Sequence, residues 1–202
     1  MATERRQRPQ NLLALAVLAL LSERPMHPYE MAATMRERHK EESIKLRYGS
    51  LYTVVEQLQR DGLIVPHETS RDGRRPERTV YTITDVGRAE LTAWMSDLLR
   101  WPVKEYPRFM AALSLLAVLP PTRVTPLLRE RLQHLDLAIQ TRRGVHAGLL
   151  QSGLPSLFHI EDEYEIALME AEHRFVRQFI ERIEQDPAAL SPIWPDFHAK
   201  PC

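Results

Sequence analysis

Apolar positions run almost unbroken from Leu12 to Leu21, and the stretch ends at Ser22-Glu23-Arg24-Pro25. This pattern predicts a helix over about residues 10–22, buried on most of its surface. A second helix opens at His27-Pro28, because proline is tolerated in a first turn. Tyr29, Ala32 and Met35 recur along it at helical spacing, and the charged run 36–42 reads as its solvated end. A third helix lies in GSLYTVVEQLQRDG, where Leu51, Val55 and Leu58 form one apolar stripe and Gly62 stops the helix. Its other face is read as Ser50, Thr53, Val54 and Gln57, short side chains with no acid at the N-terminal end.

The periodicity then changes. LIVPHETS (63–70) and TVYTIT (79–84) are rich in β-branched and aromatic residues and alternate in part. Asp72-Gly73 between them supplies hairpin turn chemistry. Pro66 and Pro76 in the flanks mark the ribbon as an edge element. TDVGRAELTAWMSDLL returns to helix, with Thr84 or Asp85 at its start and a buried stripe of Leu91, Trp94 or Met95, and Leu98. Three helices, a two-stranded ribbon and another helix is the order of a winged helix-turn-helix.

Farther on, Phe109, Leu113 and Leu116 share a face before Pro120-Pro121. Leu128, Leu132, Leu135 and Ile139 repeat at steps of 4, 3, 4, and after a break at Gly148–Pro155 so do Tyr164, Leu168, Ala171 and Phe175. Such spacing is a helix-packing seam. Val176, Phe179 and Ile183 add a second stripe to the last helix; one stripe can be buried within the chain on the first seam, and the other then calls for a second partner, the same helix of another chain. The expected dimer interface is therefore Tyr164, Leu168, Phe175, Phe179 and Ile183. The fold class is mainly α with a small β-wing. The expected division is a DNA-binding domain over 1–84, a linking helix over 85–105, an α-helical dimerisation and effector domain over 106–190, and a tail over 191–202.

Charge sharpens the reading at one place. The 202 residues carry 27 Lys+Arg against 27 Asp+Glu, so net charge points to no partner. RDGRRPER (71–78), however, sets four arginines on the hairpin turn. There they can neutralise phosphates while the third helix enters the major groove, whose width admits it. Ser50, Thr53 and Gln57 are the candidates for base edges, with Tyr52 and Lys45 beside them. Arg71, Arg74, Arg75 and Arg78 are the candidates for phosphate or minor groove. Double-stranded DNA with a palindromic site is thus the expected partner of a homodimer.

The single cysteine, Cys202, allows no internal disulfide, which fits a reducing cytoplasm. The basic start and apolar run of residues 1–21 resemble a signal peptide, but ten apolar residues fall short of the roughly 20 that a membrane span needs. No membrane association is expected.

Gly49-Ser50-Leu51-Tyr52, Gly73-Arg74-Arg75 and Tyr81-Thr82-Ile83-Thr84-Asp85-Val86-Gly87-Arg88, with Pro28-Tyr29-Glu30, resemble the PadR family of bacterial transcription regulators over about residues 12–100. The resemblance implies a dimeric regulator, usually a repressor, of the type with a long C-terminal helical domain. Arg47-Tyr48 replace a Ser-Pro helix entry that many members have, which makes Arg47 a further phosphate candidate.

Trp94, Trp101, Tyr106 and Phe109 could line a small-molecule effector cavity or serve as packing between domain and dimer helices. Glu170-x-x-His173 is half of a di-iron carboxylate motif without its second half. No metal, other cofactor or enzymatic activity is expected. The competing readings are a helical protein–protein adaptor and, further off, a helical metalloprotein.

Overall fold

The computed structural model describes residues 11–40, 43–44, 47–70 and 78–194, with backbone alone at Tyr48, Glu68–Ser70 and Arg78. The chain divides into two compact units, Met1–Lys104 and Glu105–Cys202.

In the first unit, α1 (Leu12–Glu23) is capped by the Asn11 side chain, which accepts from the Leu13 amide at 3.1 Å. Leu13, Val17, Leu18, Leu20 and Leu21 are buried, which accounts for its near-continuous apolarity. α2 (Pro28–Glu37) begins at His27, whose Nδ1 accepts from the Tyr29 amide at 3.1 Å. Met31, Ala32 and Met35 face the core; Tyr29, placed on the same helical spacing by sequence, is exposed. Arg38 donates to both carboxylate oxygens of Glu23 at 2.6 and 2.8 Å, tying the ends of α1 and α2. That hydrogen-bonded pairing holds the Glu23 carboxyl below its ordinary pKa and the Arg38 guanidinium above its own.

α3 (Tyr48–Arg60) buries Leu51, Val54, Val55 and Leu58. It ends at Gly62, whose φ of +70° lies in the left-handed region that favours glycine. β1 (Ile64–Ser70) and β2 (Arg78–Ile83) pair antiparallel, with an irregularity between Pro66 and Glu68. On the other side of β2, Met26 and Tyr81 exchange backbone hydrogen bonds at 3.1 and 3.0 Å. β1 is therefore the edge of this small sheet, where its proline is tolerated. Burial pushes the Tyr81 phenol above its ordinary pKa, and the Glu56 carboxylate adds in the same sense.

α4 (Asp85–Arg100) packs on α1 within the first unit. Its N-terminus is a compact lock. Thr84 Oγ1 accepts from the Gly87 amide at 3.0 Å and donates toward the carbonyls of Gly62 and Leu63 at 2.9 and 3.1 Å. Arg88 donates to the Ser22 carbonyl at the end of α1, 3.3 Å away. Gly87 lies so close to the chain that an added Cβ would fall 2.1 Å from the Leu63 carbonyl oxygen. Of the stripe expected on this helix, Trp94 is buried and Leu91 half-buried, whereas Met95 and Leu98 are exposed.

The second unit is built on a hairpin of two long helices. α5 (Arg108–Ser114) and a 3₁₀ turn (Leu116–Val118) lead into α6 (Pro121–Gln151), and a second 3₁₀ turn (Ser156–His159) leads into α7 (Ile160–Gln185). Its core is Val124, Leu128, Val176, Ile180, Ile183 and Trp194, with Phe109, Leu116, Leu132, Phe179 and Leu190 packed against it. After the short α8 (Pro187–Leu190), the segment expected as a tail closes this core, with Trp194 Nε1 donating to the Leu119 carbonyl at 2.8 Å.

Four arginine–carboxylate pairs run along the hairpin with the guanidiniums on α6 and the carboxylates on α7: Arg129–Glu184, Arg131–Glu172, Arg143–Glu170 and Arg142–Glu165. The guanidinium of Arg131 also lies 3.7 Å from the centre of the Phe109 ring. Among the described residues, no helix is long and apolar enough to cross a membrane.

Candidate nucleic-acid interface

One face of α3 belongs to the core, so the other is fixed by exclusion. Ser50, Tyr52, Thr53, Glu56, Gln57 and Gln59 are exposed. Val54, grouped by sequence with the polar face, is instead 6% exposed and packs in the core. Its position between the Leu51 and Val55 rows makes the apolar arc of α3 wider than a single stripe. What stays outside is short and polar toward the N-terminus, with no acid in the first turn.

Thr53 Oγ1 donates to the Gly49 carbonyl at 3.1 Å. Gln57 is held at both ends: its Nε2 donates to Asp61 at 2.8 Å, and its Oε1 accepts from Arg60 at 2.9 Å. Arg47 occupies the N-cap in an extended conformation, with no side-chain cap bond. The first-turn amides therefore keep the positive end of the helix dipole, with no acid of that turn to offset it.

Lys45, Arg71, Arg74 and Arg75 lie outside the described residues. Arg78 begins β2 opposite Ser70, at the far end of the ribbon from the Ile64–Ile83 pair that belongs to the core. Tyr29, which helical spacing assigns to the core side, is instead 65% exposed at the start of α2, with its amide donating to His27 Nδ1.

The four aromatics grouped by sequence have different surroundings. Trp94 is in the core of the first unit, Trp101 is 51% exposed and Tyr106 82% exposed. Phe109 packs in the second unit against Arg131.

On α7, Tyr164, Leu168 and Phe175 are 67%, 53% and 47% exposed. Ile183, expected at the interface, is corrected to the core together with Val176, at 3% and 0% exposed. The hairpin turns that stripe onto α6. Phe179 is half-buried and stacks on Phe175 with centroids 5.9 Å apart. Glu170 pairs with Arg143 and His173 Nε2 with Asp136, so the two ends of Glu-x-x-His each have a partner on α6.

A two-stranded wing clamped beside a helix with one exposed polar face defines a winged-helix regulator. Residues 17–93 match the model of the Transcriptional regulator PadR-like family, so the first unit carries a PadR-like domain. It is similar to the negative transcriptional regulator PadR of Bacillus subtilis, with 23% identity over 151 residues, 75% of this chain and 82% of that protein. The crystal structure of Bacillus subtilis PadR in complex with operator DNA superposes with a TM-score of 0.67 at 19% identity, covering 85% of this chain and 99% of that one. The same protein in complex with p-coumaric acid gives 0.69 at 17% identity, covering 86% and 99%. A PadR-like regulator of Bacillus cereus gives 0.57 at 18% identity, covering 86% and 98%. These likenesses show the fold. The chain is a transcriptional regulator.

Proposed function

We propose that the chain is a homodimeric, cytoplasmic repressor that holds a palindromic operator with α3 in the major groove and the wing on the backbone. The observation that carries this is the exposed face of α3: Ser50, Thr53 and Gln57 stand clear of the core on a helix whose first turn holds no acid. A Bacillus subtilis relative with this fold is a negative regulator and has been crystallised on operator DNA. Ser50, Thr53 and Gln57 read base edges, with Tyr52 beside them. Arg47 and Lys45 meet phosphates, and Arg71, Arg74, Arg75 and Arg78 hold the backbone or minor groove. A small aromatic acid, by likeness to the p-coumaric acid bound to that relative, is the class of effector to test first.

Gln57→Ala or Thr53→Ala should lower operator affinity by about 1–3 kcal/mol and leave non-specific binding nearly unchanged. Titrating operator and scrambled duplex in one buffer checks this. Equal losses on both would assign these residues to positioning only. The operator itself comes from selecting bound genomic fragments.

The wing behaves differently. Arg74→Ala with Arg75→Ala should weaken binding to every duplex alike. The slope of log affinity against log salt should flatten by about 1 for each phosphate that is no longer neutralised. An unchanged slope would take the wing off the DNA.

A further inference from the structure

Two imidazoles meet at the closed end of the α6–α7 hairpin. His146 stands near the end of α6 and His159 ends the 3₁₀ turn before α7. Their Nδ1 atoms are 3.1 Å apart, with the rings edge to face at 70°. His159 Nε2 lies 3.3 Å from the Leu154 carbonyl oxygen. A carbonyl only accepts, so this contact puts the proton on Nε2 and leaves a lone pair on Nδ1. His146 Nε2 faces the Glu163 carboxylate at 3.9 Å, beyond hydrogen-bond reach. The Nδ1 of His146 can therefore either donate a hydrogen to His159 Nδ1 or, with its own proton on Nε2, join it in offering a lone pair to a cation. A third donor is in place: the carboxylate of Asp162, with ligand atoms of all three residues within 4.8 Å of one another. His159 and Asp162 are buried at 2% and 8% exposed, and the His146 side chain is 16% exposed.

We infer that His146, His159 and Asp162 form a binding site for a divalent transition-metal ion of the zinc type. The ligands are the two Nδ1 nitrogens and an Asp162 oxygen, and a fourth position is left for water. Two nitrogens at about 2.0–2.1 Å from a tetrahedral zinc stand roughly 3.3 Å apart, close to the spacing seen here. Two imidazoles and one carboxylate suit zinc or nickel; calcium and magnesium prefer all-oxygen sets.

The outer partners have the arrangement that metal-ligating histidines use, with the second ring nitrogen toward a carbonyl or carboxylate. Arg142 holds Asp162 Oδ1 at 3.3 Å and is itself held by Glu165 at 2.9 Å. Asp162 and Glu165 thus share that one guanidinium, while the Glu163 carboxylate lies on the His146 side, so carboxylates outnumber the arginine around the cluster. The ion would join the end of α6, the turn and the start of α7, clamping the hairpin independently of DNA contact.

The test uses the full chain in a Cys202→Ser background, which removes the terminal thiol as a competing ligand. After chelator treatment and its removal, zinc chloride is titrated by calorimetry and cobalt by visible absorption. One ion per chain is expected, with a melting temperature raised by the bound metal. His146→Gln, half-buried and least disruptive, should keep the parent circular dichroism and bind at least about tenfold more weakly. Asp162→Asn should weaken binding in the same way, and His134→Gln, at an exposed site elsewhere on α6, should change nothing. Absence of stoichiometric zinc binding would leave the pair sharing a proton only and overturn the inference. So would a His146→Gln variant that binds as the parent does.

Discussion

Gly87→Ala should destabilise the first unit by about 3 kcal/mol or more, at the upper end of overpacking costs. The new methyl would meet the Leu63 carbonyl oxygen at 2.1 Å and the Ile83 side chain at 2.8 Å. A flexible side chain can step aside; a backbone carbonyl that already accepts from Thr84 cannot without opening the joint between β1 and α4. Gly49→Ala provides the contrast. Among the described residues, nothing outside its own turn of helix lies within 4 Å of the added Cβ. Because Gly49 is only the second residue of α3, alanine there should stabilise by less than the roughly 0.5–1 kcal/mol of a mid-helix position. Urea unfolding followed by circular dichroism measures both. A Gly87→Ala midpoint equal to that of the parent would mean the first turn of α4 moves freely away from Leu63.

Leu168→Glu together with Phe175→Glu should yield a folded monomer whose operator affinity falls by about 10²-fold or more, because two linked half-sites become one. Both residues are exposed on α7, and with Tyr164 they leave an apolar strip that a lone chain would present to water. A twofold axis buries it against its own copy. In dimeric helix-turn-helix proteins the same symmetry sets recognition helices one DNA turn apart, roughly 34–36 Å. Ile183→Glu should behave differently: it puts a carboxylate into the hairpin core and should unfold the second unit, not merely separate the chains. Sedimentation velocity and circular dichroism separate the two outcomes. A double variant that still sediments as a dimer would place the interface elsewhere.

The order of elements was legible because each rests on local signals. Leu51, Val55 and Leu58 mark α3, Thr84 caps α4, and Pro66 marks the edge strand. The string from Tyr81 to Arg88 was legible as a pattern but not as a device. That Thr84 binds two carbonyls, that Gly87 touches one of them and that Arg88 caps α1 are long-range facts.

The stripes of α7 could not be ranked from the sequence. Both have helical spacing, and only the hairpin, with Arg129 and Arg131 reaching Glu184 and Glu172, turns Val176, Ile180 and Ile183 inward. Val54 was misplaced for a similar reason: the width of a buried arc depends on what packs against it. The pairing of His146 with His159 was illegible because no short spacing encodes it; it appears only once the turn between the helices closes.

The sorting of charge along the second unit has a consequence for exchange between chains. Because α6 supplies the guanidiniums and α7 the carboxylates, a foreign α7 would satisfy the same pairs as the native one. Domain swapping is then opposed by tethering alone. The short link from Ser152 to His159 keeps α7 beside its own α6 at an effective concentration on the order of millimolar, well above that of any neighbour. The length of that link, rather than the chemistry of the helices, decides whether each protomer closes its own hairpin.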